Sequence, residues 1–240
     1  MFEASKRAEY NRLRFITWNC CWKLKEKLPA LFAELPDVAI IQECSKDALE
    51  NLRPGYFGQW LAGPENHGLG MIYREPFAIE NIETASSASY FAKIDISGPV
   101  SFRLVAAWTC PPGGSGYIGH LHHFLDTQIE WFKQSQVVFA GDLNSQHGAS
   151  FDTGQQKHAD LDKRLKDVGL VDAYASLRGI DDPRLREATH RHQWSNEKPF
   201  HIDYVYVPDS WLPRISSIAV GAPSLWSKLS DHSPVMMTVK

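Results

Sequence analysis

Residues 14–43 read RFITWNCCWKLKEKLPALFAELPDVAIIQE. Arg14 to Trp18 is β-branched and aromatic, the composition of a buried strand. Over residues 23–35 the leucines at 24, 28, 31 and 35 recur at helical spacing, and Pro36 stops the helix. Val38-Ala39-Ile40-Ile41 is then a continuous apolar run, which predicts a strand covered on both faces. Strand, helix and covered strand in this order predict an α/β architecture.

Working outward, short strands are expected at residues 69–73, 90–96, 102–108, 137–140, 204–207 and 235–239, and helices at 119–133 and 161–168. Gly63-Pro64 and Pro111-Pro112-Gly113-Gly114 separate several of them. Residues 146–160 form a polar insertion, expected as a loop near the site. Strands in both halves with helices between them predict two packed sheets flanked by helices. Neither a repeat nor a linker-like change in composition interrupts the 240 residues, so a single domain over 1–240 is expected.

The hydrophobic fraction of 43% and charged fraction of 22% lie in the globular range. A formal net charge of −3 excludes the global positive field of a tight non-specific nucleic-acid binder, so any contact with nucleic acid must be local. Cys20, Cys21, Cys44 and Cys110 are too few and too irregular for a disulfide framework and lack a paired zinc pattern. They fit buried thiols in a reducing cytosol. Residues 1–14 are polar without an apolar stretch, and no run of ~18 apolar residues occurs. The expectation is a cytoplasmic protein with no membrane partner. No oligomerisation motif is visible.

Polar clusters stand where the expected strands end. Asn19 closes the first, Glu43 the second, and Gly141-Asp142-Leu143-Asn144 the strand at 137–140. Asp203 precedes the strand at 204–207, and Ser230-Asp231-His232 leads into the last. Carboxylates beside apolar runs are costly unless their desolvation is compensated. A hard cation such as Mg²⁺, which takes oxygen ligands, supplies that compensation. Hydrolysis of a phosphate ester needs a metal to withdraw charge, a group to orient water, and donors for the developing negative charge. Glu43 suits the metal, Asp142 the water, Asn19 and Asn144 the phosphate oxygens. His232 can donate to the phosphate, with Asp203 holding its tautomer and charge. Turn chemistry alone explains an Asn144 or an Asp142, but not Glu43 or His232.

The strings Thr17-Trp18-Asn19, Ile41-Gln42-Glu43, Gly141-Asp142-Leu143-Asn144, Ile202-Asp203-Tyr204 and Ser230-Asp231-His232-Ser233-Pro234 are each weak. Together and in this order they resemble the endonuclease/exonuclease/phosphatase superfamily, with its DNase-like and AP-endonuclease-like members, over nearly the whole chain. The resemblance implies a four-layer α/β sandwich of two packed, mostly antiparallel sheets flanked by helices. It also implies one Mg²⁺ or Mn²⁺ held mainly by Glu43, with Asp231 as a further ligand. Asp142 would activate the attacking water, Asn144 and Asn19 would position the phosphate, and Asp203 would orient His232. Attack would be in-line, without a covalent intermediate.

The chain departs from the family at Trp108, where relatives carry a phosphate-contacting Tyr or His. An indole donates one hydrogen bond and exchanges no proton in the same way. Either Trp108 packs in the core and another residue serves, with His120, His122 and His123 as substitutes, or transition-state stabilisation is weaker.

The leading expectation for the substrate is DNA, with Phe200 and Ile202 presenting apolar side chains beside Asp203 to an extruded sugar. The alternatives are a phosphatase acting on a small phosphoester such as an inositol phosphate, and a non-catalytic phosphate-recognising module. Of the tryptophans, Trp18, Trp60 and Trp131 are assigned to the core, and Trp194 and Trp226 are candidates for a substrate wall. Arg191 is a candidate phosphate contact, weighed against a solvated loop charge.

Overall fold

The computed structural model describes residues 12–86, 90–110, 116–134, 136–152 and 155–240. The N-terminal segment 1–11, the stretch Pro111-Pro112-Gly113-Gly114, and Thr153 and Gly154 of the polar insertion lie outside these residues. Strand β1 (Leu13–Asn19) leads into helix α1 (Leu24–Ala33) and returns through β2 (Val38–Cys44), parallel to β1. Helix α1 carries Pro29 on its exposed side, which removes one backbone donor. Burial of Leu24, Leu31 and Phe32 against the sheet offsets that loss, at about 1.5–3 kcal/mol for each such side chain. Left-handed Leu35 (φ 52°) ends the helix just before Pro36.

Strands β3 (Tyr56–Ala62) and β4 (Gly68–Arg74) complete one side of the first sheet. On its other side stand β13 (Ile215–Val220) and β14 (Val235–Val239), giving the order β13-β14-β1-β2-β4-β3. The second sheet runs β5 (Ala78–Ser86), β6 (Tyr90–Ser97), β7 (Phe102–Trp108), β8 (Val137–Asp142), β12 (Asp203–Pro208), β9 (Leu170–Asp172). Only β1–β2 and β7–β8 pair in parallel; the remaining ladders of the two sheets are antiparallel. Helices α2 (Tyr117–Phe132) and α3 (His158–Asp167) belong to the second half, with the short helices α4 (Ala173–Arg178) and α5 (Pro223–Trp226). A small ribbon pairs β10 (His190–Arg191) with β11 (Pro199–Phe200).

The period-2 alternation of strands sorts the side chains into layers. Phe15, Val38, Ile40, Leu104, Ala106, Val138, Ala140 and Val205 fill the space between the sheets. Ile16, Trp18, Ala39 and Ile41 face α1, and Val105, Ala107, Phe139 and Tyr206 face α2 and α3. The result is the four-layer sandwich expected from the sequence. The expected strands are all present, but β3, β5, β9 and β13, and the two-residue β10 and β11, are not anticipated by the sequence pattern. The first four are the edge strands of the two sheets, paired on one side only, and β9 is three residues long, so none of the four carries the continuous buried run of a central strand.

Trp18 is fully buried, as expected, and Trp226 joins it, edge-on at 4.9 Å, so Trp226 is core rather than substrate wall. Trp60 and Trp131 are only half-buried, at the margins of their clusters. Among the described residues no helix is long and apolar enough to cross a membrane. Cys20 and Cys44 are buried thiols, whereas Cys21 and Cys110 are half-buried.

At the start of α3, His158 is enclosed between Ser145 Oγ (3.0 Å), Tyr206 OH (3.4 Å) and Asp162 (3.6 Å). Burial holds its imidazole down to about 3, so the folded chain keeps it neutral where the unfolded chain is protonated. The stability from this neutral site is fully present above the unfolded value near 6.5 and is lost as pH falls towards 3, by up to about 1.4 kcal/mol per pH unit. Urea titrations at pH 7.5 and pH 5 should show a clear loss in the wild type and a smaller one in His158→Gln. Equal losses would remove His158 as the cause.

Candidate active site

Chain direction brings the polar strand ends to one end of the sandwich. Strands β1, β2 and β8 finish there, while β12 and β14, antiparallel to β8 and β1, begin there. Period 2 carries the inter-sheet face of Val138 and Ala140 on to Asp142, and that of Phe15 on to Asn19. Gly141 has φ 147°, and a Cβ there would lie 1.8 Å from the Ala107 carbonyl oxygen, so only glycine lets β7 and β8 approach closely before Asp142.

Glu43 reaches the site by a different route. Simple alternation would turn it towards α1 with Ala39 and Ile41. Instead Glu43 has φ 58°, the ladder to β4 shifts register between Gln42 and Cys44, and Cys44 takes the place on the α1 face. The bulge re-aims the carboxylate, the usual role of such a defect. Asn19 Nδ2 then donates to Glu43 Oε1 at 2.9 Å and to Asp142 Oδ2 at 3.0 Å, joining the two sheets through one amide. Asn19 Oδ1 accepts from Cys21 N at 3.0 Å, which fixes the amide's orientation.

Asp142 and Asp203 are register partners on β8 and β12 and both are fully buried. Two carboxylates directly opposite each other repel. His232 relieves this, with Nδ1 donating to Asp203 Oδ2 at 2.9 Å and Nε2 4.0 Å from Asp142 Oδ2. Burial pulls the His232 imidazole down, but Asp203 and Asp142 outweigh it and raise it to about 10, so the ring is charged at neutral pH. Burial, then the charge of Asp203, pushes Asp142 up to about 7. His232 is anchored through its backbone, since Trp18 Nε1 donates to its carbonyl at 3.1 Å and its N–H donates to Ser230 Oγ at 3.0 Å.

Asn144, in left-handed conformation (φ 46°), donates its N–H to Asp142 Oδ1 (2.9 Å) and its Nδ2 to Thr109 O (2.8 Å). Asp231 lies beside His190, whose Nε2 is 3.6 Å from its Oδ2. Burial alone would raise Asp231, but His190 and His232 bring it down to about 2. Burial, then the charges of Asp231 and Glu43, raises the Cys21 thiol to about 11 and keeps it protonated.

The donor set fits a hard divalent cation. Among the described residues no lysine or arginine pairs with Glu43, Asp142, Asp203 or Asp231; their only basic partners are His67, His232 and His190. Asp203 Oδ1 is buried without a hydrogen-bond partner, and Glu43 keeps 22% of its side chain exposed. Ligating atoms of Asp142, Asp203 and His232, and of His190, Asp231 and His232, lie within 4.8 Å of one another, but the charged His232 ring has no lone pair to give a metal, and neither group includes Glu43. An oxygen-rich centre with excess negative charge and a protonated thiol suits Mg²⁺ or Mn²⁺ better than a soft metal.

Trp108 packs in the core, 2% exposed, against Tyr90 (5.3 Å) and His67 (4.8 Å). Of the α2 histidines, His122 is engaged away from the site. His122 is buried, with Nε2 donating to Lys157 O (3.1 Å) and Nδ1 accepting from Arg164 (2.9 Å), and neither His120 nor His123 enters a ligating cluster among the described residues. In the Thr189-His190-Arg191-His192 string it is His190 that faces the centre. Arg191 instead donates its N–H to Asp231 O (2.8 Å) and reaches Ser233 Oγ (3.5 Å). Sequence reasoning also missed Thr189, whose Oγ1 accepts from the N–H groups of Ile202 and Asp203. The alternation His190, His192 against Thr189, Arg191 was the available signal. A cleft of about 480 Å³ opens beside Asn144 and His190, walled by Tyr117, Phe151, Phe200 and Ile202. The expected Phe200 and Ile202 therefore line it, whereas Trp194 lies outside its lining, 53% exposed.

No curated protein matches this sequence. Among solved structures, a humanized TDP2 from D. rerio superposes with a TM-score of 0.69 at 16% identity, over 96% of this chain and 99% of that one. The 3' phosphatase NExo from Neisseria, bound to a product DNA hairpin, gives 0.71 at 15% identity over 95% and 99%. An AP endonuclease from Archaeoglobus fulgidus gives 0.70 at 15% over 95% and 99%. At these identities the likeness is one of fold. The sequence pattern of the Endonuclease/Exonuclease/phosphatase family matches residues 16–232, a span that holds Asn19, Glu43, Asp142, Asn144, Asp203, Asp231 and His232. This chain belongs to the Endonuclease/Exonuclease/phosphatase family.

Proposed function

We propose that this chain is a divalent-metal-dependent phosphodiesterase that cleaves nucleic acid, DNA foremost. The observation that carries the reading is the amide of Asn19 bridging Glu43 and Asp142 across the two sheets, beside the Asp203–His232 pair. Glu43 and Asp231 are the residues that would hold Mg²⁺ or Mn²⁺, which when bound withdraws charge from the phosphoryl oxygens. Asp142 takes the proton of the attacking water, and its three hydrogen bonds from Asn19 and Asn144 hold the carboxylate in place for that contact. Asn19 and Asn144, whose amide N–H groups are taken up by Glu43, Asp142 and Thr109, serve the phosphate by holding the carboxylates that face it. His232, charged and held by Asp203, donates from Nε2 to the phosphoryl oxygen on which negative charge grows.

Support for DNA comes from two sides. The cleft beside Asn144 and His190 is walled by rings and Ile202, with Lys198 and His192 also in its lining, which suits a nucleoside joined to a phosphate. The fold is shared with NExo bound to a product DNA hairpin and with a D. rerio TDP2 complexed with a single-strand DNA product. The test is a hydrolysis panel of single-stranded DNA, plain duplex, abasic-site duplex, RNA and inositol phosphates, with Mg²⁺ or Mn²⁺ and with EDTA. Cleavage of DNA that EDTA abolishes is the expected result. Phosphate release from inositol phosphates alone would replace this reading with a phosphatase, and silence throughout, with phosphate still bound, would leave a binding module.

A further inference from the structure

We propose that Trp22 and His67 form a nucleobase-stacking platform adjoining Glu43, a subsite for an unpaired base next to the scissile phosphate. The proposal rests on the phosphodiesterase reading above. Cys21, Trp22 and Lys23 have φ values of 47°, 67° and 51°, three successive left-handed residues that all carry a Cβ. Such a run is costly for L-residues and persists only when its surroundings hold it. Here Cys21 N donates to Asn19 Oδ1 (3.0 Å), Trp22 N to Glu43 O (3.3 Å), and Lys27 Nζ to the carbonyl of Cys21 (3.0 Å). Two of these three partners, Asn19 and Glu43, belong to the active centre itself.

The held backbone keeps Trp22 46% exposed instead of turning it into the apolar layer beneath α1. Its indole lies flat on the His67 imidazole, with centroids 3.7 Å apart and planes 4° from parallel. His67 in turn meets the buried Trp108 edge-on at 4.8 Å, and its Nε2 lies 3.4 Å from Glu43 Oε2. The Trp22 indole thus rests on a ring that is itself set against the buried Trp108 and lies close to a centre carboxylate. A lone exposed tryptophan carries no such meaning. One whose backbone is held by centre residues and whose ring is stacked on a braced neighbour beside the centre is a preorganised surface.

The shape of the substrate says what this surface takes. A phosphodiester bears an organic group on each side of its phosphate. The cleft at Asn144 and His190 can take one, and its lining includes neither Trp22 nor His67. The second falls to the Trp22–His67 face. Every base has a π-face, so an aromatic platform binds unpaired bases with little regard to sequence. An inositol phosphate has no such face to offer.

The test measures binding of a fluorescein-labelled single-stranded oligonucleotide to Asp142→Asn protein, alone and combined with Trp22→Ala or Trp22→Phe. A second oligonucleotide of equal length carries tetrahydrofuran abasic units in place of the bases. Trp22→Ala is expected to weaken binding of the first by about 5- to 150-fold, the range of a lost base–aromatic stack. Trp22→Phe should retain most of the affinity, and the abasic oligonucleotide should bind equally with either residue. Unchanged affinity in Trp22→Ala, or an equal loss with the abasic strand, would overturn the platform. If wild type cleaves DNA while Trp22→Ala binds it normally, the platform alone falls. If the base-dependent effect of Trp22 appears but wild type hydrolyses no nucleic acid, the platform stands and the nuclease falls. Absence of both overturns both.

Discussion

Asp142→Asn is expected to lower kcat by about 10²- to 10⁴-fold, the usual contribution of a positioned proton acceptor, while the chain stays folded. Asp142 is fully buried, and both of its oxygens accept hydrogen bonds: Oδ1 from Asn144 N, Oδ2 from the amides of Asn19 and Asn144. An asparagine supplies only one accepting oxygen. Its NH₂ group would face donors, at a cost of about 1–3 kcal/mol. The substitution also removes the repulsion between Asp142 and its register partner Asp203, which offsets part of that cost. Denaturation should therefore show a modest change in stability, and steady-state hydrolysis in Mg²⁺ a large loss in kcat. A variant as fast as wild type would show that Asp142 does not handle the water.

His232→Gln is expected to lower kcat by about 10²- to 10³-fold with a much smaller change in KM. Asp203→Asn should fall in the same range, and the double variant should be little worse than either single one. His232 draws its charge from Asp203, 2.9 Å away, so removing the carboxylate disables the same donor that removing the ring deletes. Residues that act as one unit give non-additive losses. The side-chain changes leave intact the backbone anchors at His232, where Trp18 Nε1 and Ser230 Oγ bind. Losses that multiply in the double variant would mean that the two residues act separately.

Much of the fold was legible because its cause is local. The apolar run Val38-Ala39-Ile40-Ile41 reads as a strand covered on both faces, and its side chains do divide between the inter-sheet core and the α1 layer. Strands β3 and β13 lack such a run, since they stand at the edges of the sheet, pair on one side only and leave residues such as Phe57, Ser216 and Ser217 exposed. The position of Asp142 follows from the alternation of β8, but that of Glu43 does not. The left-handed backbone that redirects Glu43 goes with the bulge against β4 and the hydrogen bond from Asn19, both distant in sequence.

The aromatic residues show the same limit. Trp18, Trp22, Trp108, Trp194 and Trp226 are alike in composition, yet Trp18, Trp108 and Trp226 are buried while Trp22 and Trp194 stay exposed. Local pattern left Trp226 a candidate for the substrate wall, because its core partner Trp18 lies far away in the chain. His67 and His190 carry no motif of their own. They enter the site because the segment between β3 and β4 and the β10–β11 ribbon happen to end beside Glu43 and Asp231.

By itself the sequence determined the layered α/β architecture, the family and the identity of the polar strand ends, since hydrophobic periodicity and motif order are written along the chain. Only the tertiary structure decided how those ends meet: which carboxylate opposes which, that one amide joins both sheets, and that an exposed indole lies flat on His67 beside Glu43. Those outcomes depend on strand direction, register and a bulge, which are set by pairing between segments far apart in the chain.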